Sequence, residues 1–119
     1  MNVIDKNEGQ KITYSLMGNW INFDDQIMLN LEKLEEDAPV HIDVMANTSG
    51  KLSTSDGQFY VAQVDIPARA YTETEVENLN YDEEDESSQK KTIKKEAVPF
   101  SIENVTLSLF ALKEGVFDE

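Results

Sequence analysis

Gln58–Glu73 reads QFYVAQVDIPARAYTE. Its even positions, Tyr60, Ala62, Val64, Ile66, Ala68 and Ala70, are all apolar or aromatic. The intervening Gln63, Asp65, Pro67 and Arg69 are polar or irregular. A period of two over this length is that of a β-strand with one face on a core and the other in water. The even positions are therefore expected to point inward. Pro67 qualifies the pattern, because proline cannot donate to a β-ladder and is confined to edges, strand starts and bulges. The run is expected to bend there into two segments, Phe59–Ile66 and Ala68–Thr74, with the second at a sheet edge.

Working outward, Val40, Ile42, Val44 and Ala46 alternate with His41, Asp43 and Met45. The turn-rich stretch Asn47–Gly57 joins this strand to Phe59–Ile66, so the two are expected to pair as an antiparallel hairpin. Further upstream, Ile12, Tyr14 and Leu16 alternate with Thr13 and Ser15. Met17-Gly18-Asn19 then supplies a turn before Trp20–Phe23, a second hairpin. Val3 and Ile4 can start a short strand. Downstream, Val98, Phe100 and Ile102 carry one apolar phase and Val105, Leu107, Leu109 and Ala111 the other. A one-residue slip of this kind marks a bulge or corner. Phe110 and Leu112 make the last strand apolar on both faces, which predicts a strand that is central or covered on both sides.

Asp24–Asp37 supports two readings. As a helix, Ile27, Leu31 and Leu34 share a face, Asp24 caps the start, and Phe23 and Met28 form a hydrophobic staple. As a strand, Ile27, Leu29 and Leu31 alternate. The Leu, Glu and Lys content of the second half favours helix. Glu35, Glu36 and Asp37 at the far end oppose it through the macrodipole. Helix is the preferred reading, ended by Pro39. The expected fold is mainly β, a barrel or sandwich of five to seven mostly antiparallel strands, with one helix near residues 24–37. Residues 1–119 are expected to form a single domain, with a charged, flexible excursion over 73–95.

That excursion holds eight carboxylates between Glu73 and Glu86, followed by Lys90, Lys91, Lys94 and Lys95. The two blocks could pair across an extended hairpin, an arrangement sensitive to salt. The whole chain is acidic as well: 24 Asp and Glu against 10 Lys and Arg give a formal net charge of −14. Such a surface repels nucleic acid and anionic lipid, so neither is an expected partner. There is no cysteine, which excludes disulfides, thiolate metal sites and thiol nucleophiles. No apolar run approaches the roughly 20 residues of a membrane span, and no leader is visible after Met1, so a cytoplasmic location is expected.

His41 is the only histidine and shares a strand face with Asp43. Any acid–base or Ser–His chemistry would need it. Asp82–Glu86 offers hard oxygen ligands for calcium or magnesium, but without the spacing or glycine of an EF-hand. Ser49-Gly50-Lys51 lacks the first glycine, the following Ser or Thr and the helix of a phosphate loop. Arg69, the only arginine, suits an ion pair or a bidentate anchor for a partner carboxylate. No catalytic residue, metal ligand or cofactor is assigned. The expected function is a non-enzymatic binding or structural module working through protein–protein contacts, with self-association through a sheet edge. Its candidate contact surface is Asp65, Arg69, Tyr71, Tyr81 and Phe110. The alternatives are an acidic inhibitor or nucleic-acid mimic that binds a basic protein, and a metal-dependent carboxylate enzyme.

Overall fold

The computed structural model describes residues 1–78 and 90–113. In chain order its elements are β1 (Asn2–Asp5), β2 (Tyr14–Met17), β3 (Trp20–Phe23), β4 (Ile27–Asn30), α1 (Leu31–Leu34), β5 (Val40–Ala46), β6 (Leu52–Ser53), β7 (Phe59–Ile66), β8 (Tyr71–Glu77), β9 (Lys91–Ala97), a 3-10 turn at Ile102–Asn104 and β10 (Thr106–Leu109). The chain is mainly β, and its described residues form three sheets, none closed into a barrel. The described residues contain ten strands, not five to seven. The surplus comes from β1, β4, the two-residue β6 and β9, while the apolar phase of Val98, Phe100 and Ile102 lies outside any strand.

The first sheet has the order β1-β10-β7-β5-β6. β5 and β7 pair antiparallel from Val40↔Ile66 to Ala46↔Phe59, as their shared periodicity requires. The ladder slips between Val44↔Ala62 and Met45↔Tyr60, leaving Val61 as an extra residue on β7. This bulge reverses the inward phase of the opening stretch. Ala62, Val64 and Ile66 are buried on the even phase, Val61 is buried on the odd one, and Tyr60 turns outward at 53% exposure. The expectation of an inward Tyr60 is thus corrected. Ala68 and Ala70 are exposed too, because β7 stops at Ile66 before Pro67. The chain resumes as a strand only at Tyr71.

β10 lies between β7 and β1, antiparallel to the first and parallel to the second. Leu107, Ser108 and Leu109 are all buried, as befits an interior strand. The phase slip ahead of it is the 3-10 turn, whose start Ser101 caps by accepting from the Glu103 N–H.

The second sheet is the meander β2-β3-β4. Gly18, at φ 61°, begins the two-residue turn that sets Met17 opposite Trp20. Asp24 and Asp25 both take positive φ, 51° and 56°, and the Gln26 N–H reaches the Phe23 carbonyl at 2.9 Å. Such a turn closes a hairpin and cannot begin a helix. Ile27–Asn30 therefore runs back along β3, and the helix expected over 24–37 shrinks to the single turn of α1, capped by the Asn30 side chain. Burial decides the outcome: Leu31 is fully buried, Ile27 and Leu29 pack on the core, and Met28 is exposed. That is the alternation of the strand reading.

Ile21 and Phe23 of this sheet join Val44, Ala62, Val64, Ile66 and Leu107 of the first sheet in one core cluster. β8 and β9 lie outside it. They form a two-stranded antiparallel ribbon of seven cross-strand pairs in which every residue but Val76 is exposed. The molecule is accordingly elongated. Its radius of gyration is 21.4 Å, against about 13–14 Å for a compact chain of this length.

Candidate functional site

Two polar clusters lie on the body, and one of them fixes the root of the ribbon. The first follows from the β5–β7 register, which sets His41 opposite Asp65. His41 Nδ1 lies 2.6 Å from Asp65 Oδ1, and Nε2 lies 2.7 Å from Asp43 Oδ1. Gln63, opposite Asp43, donates its amide to the same carboxylate at 3.0 Å. Carboxylates accept, so both contacts are hydrogen bonds when the ring is the imidazolium, whose two nitrogens donate. The hydrogen bond to Asp65, then that to Asp43, raises its pKa above the ordinary 6.5 against a smaller effect of burial. In that protonated form the ring has no lone pair to act as a general base.

A group whose folded pKa is raised stabilises the fold fully below its unfolded pKa, and that contribution fades as pH rises through the folded value. His41 should therefore add stability below about pH 6.5 and lose the contribution above its raised value. Its side chain is 48% exposed, so solvent screening holds the effect to about 0.5–1 kcal/mol. The difference in melting temperature between the native chain and His41→Gln should be largest in mild acid and shrink toward alkaline pH. A difference that grows with pH would contradict the charged pair.

The second cluster centres on Arg69, in the stretch between β7 and β8. It does not pair with Asp65, its same-face neighbour in the sequence. Its Nε reaches Glu35 Oε1 at 3.3 Å, its Nη1 reaches Asp37 Oδ1 at 3.1 Å and its Nη2 reaches the Glu35 carbonyl at 2.9 Å. The Arg69 N–H also donates to the Glu36 carbonyl at 2.8 Å. Tyr71, the first residue of β8, donates its hydroxyl to Asp37. One guanidinium and one phenol thus fasten the base of the ribbon to Glu35–Asp37. The fork geometry matters here, since three acceptors in different directions are met by one planar group. Arg69→Lys should lower the melting temperature modestly and speed amide exchange at Arg69 and Val98, whose N–H groups donate to the Glu36 and Ala70 carbonyls. Unchanged exchange at both would mean that the clamp does not hold the ribbon.

Phe110 packs against Tyr60, their ring centroids 6.1 Å apart, and is half-buried. The structure brings Arg69 and Tyr71 together on Asp37, while Asp65 and Phe110 belong to other parts of the body. Tyr81 and the acidic run Asp82–Glu86 lie outside the described residues. Among the described residues no three His, Asp or Glu side chains converge as metal ligands. No helix among them is long and apolar enough to cross a membrane.

The ribbon itself pairs Glu73↔Lys95 and Glu77↔Lys91, with Glu75 opposite Ile93. Lys95 Nζ lies 3.7 Å from Glu73, and Lys94 pairs with Glu96 along its own strand at 3.0 Å. The ladder is bracketed by two hydrogen bonds, Val98 N–H to the Ala70 carbonyl and Asn78 N–H to the Lys90 carbonyl, each 2.8 Å. Antiparallel ladders alternate bonded and non-bonded pairs. The bonded pairs are thus those of the even residues of β8. The backbone N–H and C=O of Tyr71, Glu73, Glu75 and Glu77 point away from β9, and those of Lys91, Ile93, Lys95 and Ala97 point away from β8. Among the described residues no strand pairs with either outer edge. Sequence reading found the acidic and basic blocks, but not which backbone groups they leave outward, since that depends on the ladder's phase.

No protein-family profile, curated protein or solved structure matches the chain.

Proposed function

We propose that the protein is a non-enzymatic structural module that binds other protein chains, including copies of itself, through the edges of the β8–β9 ribbon. The observation that carries this reading is the ribbon's isolation from the core. A two-stranded ribbon is marginal on its own in water, and outward-facing backbone groups on a strand edge are a template for another strand. The Arg69 clamp supports the same reading, because a fastened root orders the arm before it meets a partner and lowers the entropic cost of binding. The body from which the arm projects fits a β-sandwich of the five-stranded and three-stranded sheets.

Light scattering on the intact chain should show mass rising with concentration. Glu75→Pro tests the route. The Glu75 N–H points outward, so proline there spares the internal ladder and blocks strand addition. The variant should associate at least about tenfold more weakly, a loss of about 1.4 kcal/mol. Equal association by both chains would move the contact elsewhere, and a native chain that stays monomeric would remove the reading.

A further inference from the structure

The two edges of the ribbon carry opposite charge. On β8 the outward-bonding residues Glu73, Glu75 and Glu77 share one face with Lys91, Ile93 and Lys95 of β9, as the cross-strand register and the Glu73–Lys95 pair require. One edge is therefore acidic along that face and the other basic. Among the described residues Glu75, Glu77 and Lys91 form no ion pair.

This polarity decides how a second copy can approach. Setting β8 beside β8 of another copy puts glutamates opposite glutamates. Setting β9 beside β9 puts lysines opposite lysines. Like charges directly opposite each other are destabilising in a sheet. Setting β8 beside β9 of another copy, antiparallel, repeats the internal register: Glu73 meets Lys95 of the next copy and Glu77 meets its Lys91. The outward backbone groups of both edges fall on these same residues, so the new ladder is in phase without a bulge.

We infer that the ribbon joins copies of this chain head to tail, the acidic edge of one to the basic edge of the next. This rests on the self-association proposed above and adds its symmetry. Such a contact is heterologous and leaves an acidic and a basic edge open after each addition. It therefore builds rings or filaments and does not stop at a dimer. The net charge of −14 opposes every addition. At about 0.15 M salt, charges more than about 8 Å apart are largely screened, whereas cross-strand pairs remain in contact. Assembly is then favoured at moderate salt and weakened near 1 M, where the pairs themselves are screened.

Sedimentation velocity and native mass spectrometry on the intact chain test this. With rising concentration the average mass should pass twice the monomer's 13.5 kDa, trimers and other odd species should appear, and high salt should reverse them. A mass that levels off at a dimer overturns the head-to-tail contact and leaves self-association standing. A monomer at every concentration overturns both. Two charge-reversed chains, Glu73→Lys with Glu77→Lys and Lys91→Glu with Lys95→Glu, should each assemble at least tenfold more weakly alone. Mixed, they should recover assembly in equal proportion and beyond one of each. Recovery that stops at one of each, or no recovery with both chains folded by circular dichroism, overturns the edge assignment.

Discussion

Phe23→Ala should lower folding stability by about 3–5 kcal/mol, the range for removing a fully buried aromatic ring. Phe23 has no exposed surface and is among the largest fully buried side chains. It lies at the end of β3, opposite Ile27, and belongs to the core cluster shared with the five-stranded sheet. Truncation removes the ring from this core cluster and leaves a cavity that the hydrogen-bonded ladders cannot collapse into freely. Total stability for domains of this size is about 5–15 kcal/mol, so the variant loses a large share of it. Urea unfolding should show a lower midpoint with an unchanged slope. Phe23→Leu, closer in volume, should lose less than half as much. A loss below about 1 kcal/mol for the alanine variant would mean that the meander is not packed on the larger sheet.

The second large effect is expected at Gly57, two residues before β7 begins. A Cβ at this position would lie 2.5 Å from Met45 Cβ, 3.2 Å from Ala46 N and 3.3 Å from Ala46 O. Met45 and Ala46 are held on both sides, by β6 and by the first residues of β7, close to the register slip. They cannot retreat without breaking one ladder. The backbone there has φ +156°, which side-chain-bearing residues rarely adopt. Overpacking and backbone strain together put Gly57→Ala at about 2–4 kcal/mol destabilising. Gly18→Ala is the control. Its φ is +61°, but nothing lies within 4 Å of the added carbon, so only the left-handed cost of about 1–2 kcal/mol applies. Equal losses at the two sites would mean that the close approach to Met45 does not exist in solution.

The sequence made the framework legible wherever a strand was long and one-sided. Val40–Ala46 and Phe59–Ile66 form the expected antiparallel pair, and Pro67 follows the end of the second. It failed where one residue changes a phase. Nothing in QFYVAQ marks Val61 as the extra residue of a bulge, since either phase of that run buries an apolar side chain. Asp24-Asp25 is ambiguous in sequence for a different reason. Aspartate caps helices and also tolerates positive φ, and only the burial of Leu31 beside Ile27 and Leu29 selects the turn. The candidate site was half visible. Arg69 stood out as the lone arginine, but its acceptors Glu35 and Asp37 are remote in sequence and tertiary packing alone brings them near. Likewise Asp43 was evident beside His41, whereas Asp65 became its partner through register.

β1 lies parallel to β10, Asn2 opposite Thr106 and Asp5 opposite Leu109. During synthesis the first strand is made roughly a hundred residues before its neighbour, a delay of about 5–20 s at ordinary elongation rates. Over that interval Val3 and Ile4, still 46% and 45% exposed in the finished fold, have no ladder to join. The large sheet can only be completed last, by its oldest residues docking on its youngest. Folding on the ribosome should therefore proceed from the meander and the β5–β7 hairpin, with the amides of Asn2–Asp5 the last of the sheet to gain protection from exchange.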